Sequence, residues 1–187
     1  MNSDPIQFKT ERLHLIAGSS NMAQAEIEDP VLLSRLLNAA IPVNWPPPLN
    51  NRDTMLFNLS RLEIDEKQKG WWGWYFILKA TRESERVLIG NGGYKGPPDN
   101  AGTVELGYSI CRGYQNQGFA TEAVFGLVTW AFQQDDVQRI TAETLLDTAA
   151  SIRVLEKNNF EFQSEGSGPS VLRYSLTRGR FQSIMEL

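Results

Sequence analysis

The stretch from Thr103 to Val124 constrains this chain more than any other part of it. Thr103-Val-Glu-Leu-Gly-Tyr-Ser-Ile110 reads as a strand. It leads into Tyr114-Gln115-Asn116-Gln117-Gly118-Phe119-Ala120-Thr121, and then into an apolar helix, Thr121 to Gln133, with Val124, Leu127, Val128, Ala131 and Phe132 at helical spacing. A helix N-terminus has unpaired amides and a partial positive charge, so strand, loop and helix in this order outline a phosphate site. Gly118 lets the backbone approach a ligand, and Ala120 is too small to block one.

Two phosphate motifs do not fit. A P-loop needs Lys and then Ser or Thr after its second glycine, but Phe119 and Ala120 follow Gly118. A dinucleotide fingerprint at Gly90-Asn91-Gly92-Gly93 has Lys95 in place of its third glycine, and Pro97 and Pro98 where a helix should open.

Gln115-x-x-Gly118-x-Ala120 resembles the pyrophosphate-binding signature of the GNAT superfamily of acetyl-CoA-dependent N-acetyltransferases. Thr10-Glu-Arg-Leu-His-Leu15 looks like the opening strand of its RimJ/RimL-type branch, and Ala150-Ser-Ile-Arg-Val-Leu-Glu-Lys157 with Phe160 looks like that branch's late helix. The resemblance covers roughly residues 8 to 177. It implies one α/β (α+β) domain over residues 1–187, with a mixed, mostly antiparallel sheet splayed between two central strands and flanked by helices.

Periodicity and turn residues supply the other elements. Leu13, Leu15 and Ala17 give a first strand one buried face. Ser19-Ser20-Asn21 offers capping oxygens before a helix at Met22, and Pro30 opens a second helix reaching Ala39. Ile41 to Leu49, with three consecutive prolines, is extended. Asp53 to Lys67 reads as a helix with Met55, Leu56, Leu59 and Leu62 on one side. Trp71–Leu78, Val87–Gly93 and Thr103–Ile110 form an antiparallel meander. Arg139–Leu145 is a strand, Ala149 to Asn158 a helix, and Phe160–Gln163 with Val171–Thr177 a closing hairpin.

Composition narrows the function classes. No apolar run is long enough to span a membrane, and Met-Asn-Ser-Asp-Pro lacks the marks of a signal peptide. One cysteine, Cys111, precludes an internal disulfide and suits a cytoplasmic setting. One histidine, His14, leaves no metal-ligand cluster. A net charge of -4 argues against nucleic acid as the main partner and suits a cationic amine. By resemblance only, a homodimer is an option.

The resemblance carries specific roles onto these residues. The amides of Gln117, Gly118, Phe119, Ala120 and Thr121, in the loop with Gln115 and Asn116, would hold the pyrophosphate of acetyl-CoA. Tyr108-Ser109-Ile110 would pair with the pantetheine arm and polarise the thioester carbonyl, with Gly107 allowing a bulge that frees those amides. Keeping a lysine amine neutral at pH 7 costs about 4.6 kcal/mol, against about 1 kcal/mol for a terminal α-amine, so a base matters most for a lysine. Glu105 is either that base, acting directly or through water, or a strand carboxylate that faces solvent or holds a basic side chain.

Many family members place an acidic tyrosine where this chain has Leu155. Ser151 is then the acid candidate, or a coenzyme or helix-cap hydroxyl, and Thr148 stands where the family has asparagine. Trp45, Trp74, Tyr94 and Tyr108 are candidate acceptor-pocket walls, with core packing the competing role for the strand aromatics. The expected activity is direct transfer of acetyl to a primary amine, either a peptide N-terminus or a small molecule. The rival is a non-catalytic acyl-CoA-binding module of the same fold.

Overall fold

A computed structural model describes residues 5–186. Eight strands form one sheet: β1 (Gln7–Lys9), β2 (Leu13–Ala17), β3 (Gly73–Leu78), β4 (Val87–Tyr94), β5 (Thr103–Ile110), β6 (Arg139–Leu145), β7 (Glu161–Glu165) and β8 (Val171–Thr177). Their order is β1-β2-β3-β4-β5-β6-β8-β7. Every neighbouring pair is antiparallel except β5 and β6, which are parallel.

Helices cover both faces. α4 (Phe119–Phe132) packs Ala123, Val124, Leu127 and Ala131 against Leu13, Leu15, Phe76, Ile89, Val104 and Leu106. On the other face, α1 (Ser20–Glu28) and α2 (Pro30–Leu37) bring Ala25, Leu33 and Leu37 onto Ile16, Tyr75, Ile77 and Leu88. β3 is buried on both sides, which is why Trp74-Tyr-Phe-Ile77 is apolar at every position rather than alternating. α3 (Arg52–Ile64) adds Leu59 and Leu62 to a smaller cluster with Ala23 and Trp72. α5 (Ala149–Lys157) lies beside α4, and α6 (Arg178–Met185) closes the chain.

Local chemistry sets the helix ends. The Ser19 hydroxyl accepts from the Met22 amide, the Asp29 carboxylate from Val31 and Leu32, and the Asn51 side chain from Thr54. At the far end of α4, the Arg178 guanidinium donates to the carbonyls of Phe132, Gln134 and Val137. It thereby neutralises a helix C-terminus that has no basic residue of its own.

Several expectations shift by a turn or less. α2 stops at Leu37, because Asn38 takes a left-handed backbone that ends the helix. α3 stops at Ile64, and Leu56 is 43% exposed, so it does not share the buried side of Met55, Leu59 and Leu62. The third strand begins at Gly73 rather than Trp71. β1 and α6 are further elements that neither periodicity nor turn residues announce. The discarded glycine run lies along β4, where a Cβ on Gly93 would meet the Trp72 carbonyl oxygen at 1.8 Å. Strand packing, not a dinucleotide, requires that glycine.

The sheet splits where the parallel pair ends. β5 and β6 pair from Thr103↔Arg139 to Leu106↔Ala142 and no further. β5 continues beside β4 to Ile110, while β6 continues beside β8 to Leu145. The register of β5 on β4 is unbroken from Leu106 to Ile110, so the bulge expected at Gly107 is absent. Loss of the β6 partner, rather than a bulge, exposes the strand.

Candidate active site

Two cavities meet at this split. The first, of about 720 Å³, lies between the free ends of β5 and β6 and the start of α4 and α5. The second, of about 680 Å³, lies over β3 and β4 beneath α1 and α3. Gly107, Tyr108, Ser109 and Leu49 line both.

The open edge of β5 follows from strand geometry. The Cys111 amide donates to the Ile89 carbonyl at 2.8 Å, and the Lys95 amide to the Glu105 carbonyl at 3.0 Å. Residues 105, 107, 109 and 111 therefore turn their backbones to β4. The backbones of Tyr108 and Ile110 face the first cavity instead. The carbonyl of Ile110 is met by the Gln115 side-chain amide at 2.9 Å. Ser109 departs from expectation: its amide faces β4, and its hydroxyl donates to the Pro48 carbonyl.

The loop before α4 ends at Gly118, the N-cap, with φ +83°, after Asn116 at φ 60°. The Glu122 amide makes the first helical bond, to the Gly118 carbonyl at 3.1 Å. The preceding amides have no helical acceptor. Gln115, Asn116, Gly118, Phe119, Ala120 and Thr121 line the first cavity, whereas Gln117 does not. Its carbonyl accepts from Arg12 at 3.0 Å, and its side chain donates to the Gly113 carbonyl at 3.1 Å.

Arg12 belongs to a clamp behind the loop. The Glu122 carboxylate accepts from the Thr10 hydroxyl at 2.6 Å, from the Arg12 amide at 2.6 Å and from the Arg12 Nε at 2.7 Å. The Arg12 guanidinium also lies 4.4 Å from the centre of the Phe119 ring. Burial pushes the Glu122 carboxyl up, but these hydrogen bonds and the Arg12 charge outweigh it and hold the group below its ordinary range. The opening strand and the anion loop thus form one unit.

Across the first cavity, Thr148 caps α5 through its backbone: its carbonyl accepts from the Ser151 amide at 2.9 Å. Ser151 Oγ lies 2.9 Å from the Tyr108 hydroxyl. Burial pushes the Tyr108 phenol up to about 12, with the Ser151 contact pulling weakly the other way. Leu155, where the family's tyrosine would stand, is fully buried in the core. Arg153 and Lys157 line the same cavity and were not foreseen; their i, i+4 spacing on α5 was the available signal.

The remaining expected residues separate. Glu105 pairs with the Lys95 ammonium and is not among the residues lining either cavity, although Lys95 lines the second. Trp74 and Tyr94 have atoms at the wall of the second cavity, but both are core residues. The Trp74 indole donates to the Gly70 carbonyl at 2.8 Å, and the Tyr94 hydroxyl to the Leu127 carbonyl at 2.6 Å. Trp45 lines neither cavity and packs under α1 and α2.

Cys111 is wholly buried, and its thiol is pushed up to about 11 by that burial. His14 bonds to Gln7 and Arg86, away from both cavities. The second cavity also holds Glu26, Asn50 and Asp53, which no short motif marked. Among the described residues there is no cluster suited to a metal, and no helix is long and apolar enough to cross a membrane.

Residues 22–161 match a family model described as an acetyltransferase (GNAT) domain. The chain is similar to the uncharacterized N-acetyltransferase YjdG of Bacillus subtilis (strain 168), 33% identical over 92 residues, which are 49% of this chain and 52% of that protein. The chain spans about half the length of the curated relatives it matches. Among solved structures, its fold is similar to a ribosomal-protein-S5-alanine acetyltransferase from Vibrio fischeri, with a TM-score of 0.64 and 19% identity over 94% of this chain and 98% of that one. It is also similar to RimL, a ribosomal L7/L12 α-N-protein acetyltransferase in complex with coenzyme A, with a TM-score of 0.64 and 15% identity over 92% and 98% of the two chains.

Proposed function

The chain belongs to the GNAT acetyltransferase family, and from that premise we propose that it transfers an acetyl group from acetyl-CoA directly to a primary amine. The observation that carries this reading is the meeting of the two cavities at Gly107–Ser109. One cavity has the features of a donor site and the other those of an acceptor site, with one strand between them.

The residues of the first cavity fit acetyl-CoA. The unpaired amides at Gly118, Phe119, Ala120 and Thr121 suit a pyrophosphate, and Arg153 and Lys157 add positive charge. The open backbone of Tyr108 and the Ile110 amide suit the amides of a pantetheine arm, which would add to the sheet as a short strand. Bound there, the coenzyme supplies the activated acetyl group. The Tyr108 and Ile110 amides are the donors available to the acyl oxygen.

The Tyr108–Ser151 hydroxyl pair lines the first cavity and would supply a donor to a departing sulfur. Proton transfer from a phenol near 12 to a thiolate of ordinary pKa near 8.5 is uphill by roughly 5 kcal/mol. The pair therefore stabilises the thiolate by hydrogen bonding rather than by giving up the phenol proton. Glu105 takes the amine proton through water. It shares a sheet face with Gly107 and Ser109, and it is paired with the Lys95 ammonium.

Direct transfer is supported by the absence of an activated nucleophile among the described residues: the single thiol, Cys111, is buried and strongly protonated. Initial rates with both substrates varied test this. Intersecting double-reciprocal lines fit a ternary complex, and parallel lines would replace it with an acetyl-enzyme route.

A further inference from the structure

The second cavity contains a half-buried carboxylate with no salt-bridge partner among the described residues. Glu26, on α1, points into it. Its Oε1 accepts from the Asn50 side chain at 3.0 Å, and its Oε2 from the Tyr75 hydroxyl at 2.8 Å. Both donors are neutral, and among the described residues no Lys or Arg forms a salt bridge with Glu26. The buried indole Nε1 of Trp45 faces the same carboxylate as a third neutral donor without closing a full hydrogen bond. A carboxylate has room for about four hydrogen bonds, so Glu26 retains capacity for a charged donor. Burial raises its proton affinity, which the neutral donors only partly offset.

The charges around it leave the cavity negative. Asp53 lines the same space, as do the aromatic residues Phe57, Trp72 and Tyr75. Lys95 is the one cation among the lining residues, and Glu105 already neutralises it. The Arg61 guanidinium stacks on Phe57 and Trp72 but is not a lining residue. A half-buried carboxylate without a cationic partner, with aromatic neighbours, suits an ammonium group.

Its position fixes which ammonium. Tyr75 pairs with Asn91, and Asn91 with Ser109, so Glu26 sits over a row that ends at the strand shared by both cavities. Two strand spacings separate Tyr75 from Ser109, roughly 10 Å. A second basic centre held at Glu26 while an amine reacts beside Gly107–Ser109 would suit the length of a short diamine. We infer that Glu26 binds a second basic centre of the acceptor, making this a transferase for small di- or polycationic amines. The inference rests on the acetyl-transfer reading for the reacting end only; the ammonium site stands on its own contacts.

The test compares 1,4-diaminobutane, 1,5-diaminopentane and 1,6-diaminohexane with the monoamines of equal chain length, in the wild type, Glu26→Gln and Glu26→Asp. Thiol release from acetyl-CoA gives kcat/KM, and calorimetry gives diamine binding with and without coenzyme A. The expected result is a wild-type preference of at least about tenfold for one of the diamines, expressed in KM. Glu26→Gln brings that ratio toward one and abolishes diamine binding, while Glu26→Asp retains part of it. An equal rate for diamines and monoamines overturns the inference and leaves acetyl transfer standing. Diamine binding that depends on Glu26 without thiol release sustains the ammonium site and overturns the transfer reading. If Glu26→Gln lowers kcat for both acceptors by the same factor, Glu26 acts on the reacting amine itself and the inference fails. If Glu26→Gln does not fold, Glu26→Asp decides: turnover without any diamine preference overturns it.

Discussion

Gly118 is the residue on which the donor site turns. Its φ of +83° ends the loop and starts α4 with its amides free, and a side chain there is strained wherever it points. Gly118→Asp adds that strain and a carboxylate among phosphate-facing amides. We expect a loss of at least about a hundredfold in acetyl-CoA affinity by calorimetry, with the far-ultraviolet circular dichroism retained. Tyr108→Phe tests the hydroxyl pair: kcat should fall about a hundredfold, as expected for one lost donor to a developing charge, with acetyl-CoA affinity little changed. A larger effect on binding than on turnover would reassign Tyr108 to the coenzyme. Glu105→Gln should lower kcat/KM most at low pH, where most of the amine is protonated; a uniform loss across pH would leave Glu105 as a partner of Lys95 only.

At the scale of elements, the clamp between the β1–β2 turn and α4 explains why Thr10 and Arg12 accompany the loop motif. Both side chains reach Glu122, 112 and 110 residues away in sequence but adjacent once α4 crosses the sheet. Glu122→Gln keeps the shape but loses the charge-assisted bonds, at an expected cost of about 1–3 kcal/mol in denaturant unfolding. The pH dependence has a definite sign. The Glu122 carboxyl is held below its ordinary value, so its contribution is complete above that value. The contribution is lost as pH falls through the lowered folded value. The wild type should therefore lose stability on the acid limb more steeply than Glu122→Gln, as read from unfolding midpoints across pH.

Legibility in the sequence followed the range of the interactions. Thr103–Ile110 and Arg139–Leu145 were read to the residue, because each alternates between a buried and an open face and is bounded by turn residues. β1 was missed because three residues carry no period. α6 was missed because no residue in it is buried, and a packing contact of Phe181 with Phe132 at 5.0 Å holds it in place.

At the scale of the whole molecule, the two halves of the site differ in how they are encoded. The donor half is local: one strand, one loop and one helix start, nearly consecutive, carry most of it. The acceptor half draws Glu26 from α1, Asp53 and Phe57 from α3, Tyr75 from β3 and Lys95 from beyond β4. Nothing in a short window marks residues that only tertiary packing brings together. Trp45, singled out by its proline-rich context, packs against the second core cluster with its indole beside Glu26. The split between β5 and β6 joins the halves, and it arises because their pairing ends at Leu106 while both strands run on.

That junction makes the central claim open to one direct measurement: titrate the protein with acetyl-CoA in a calorimeter, then follow free thiol as a primary amine is added. The account predicts one acetyl-CoA bound per chain and thiol release that depends on the amine. Binding without release across peptides, polyamines and aminoglycosides would contradict the catalytic reading, and no binding at all would contradict the assignment of the first cavity itself.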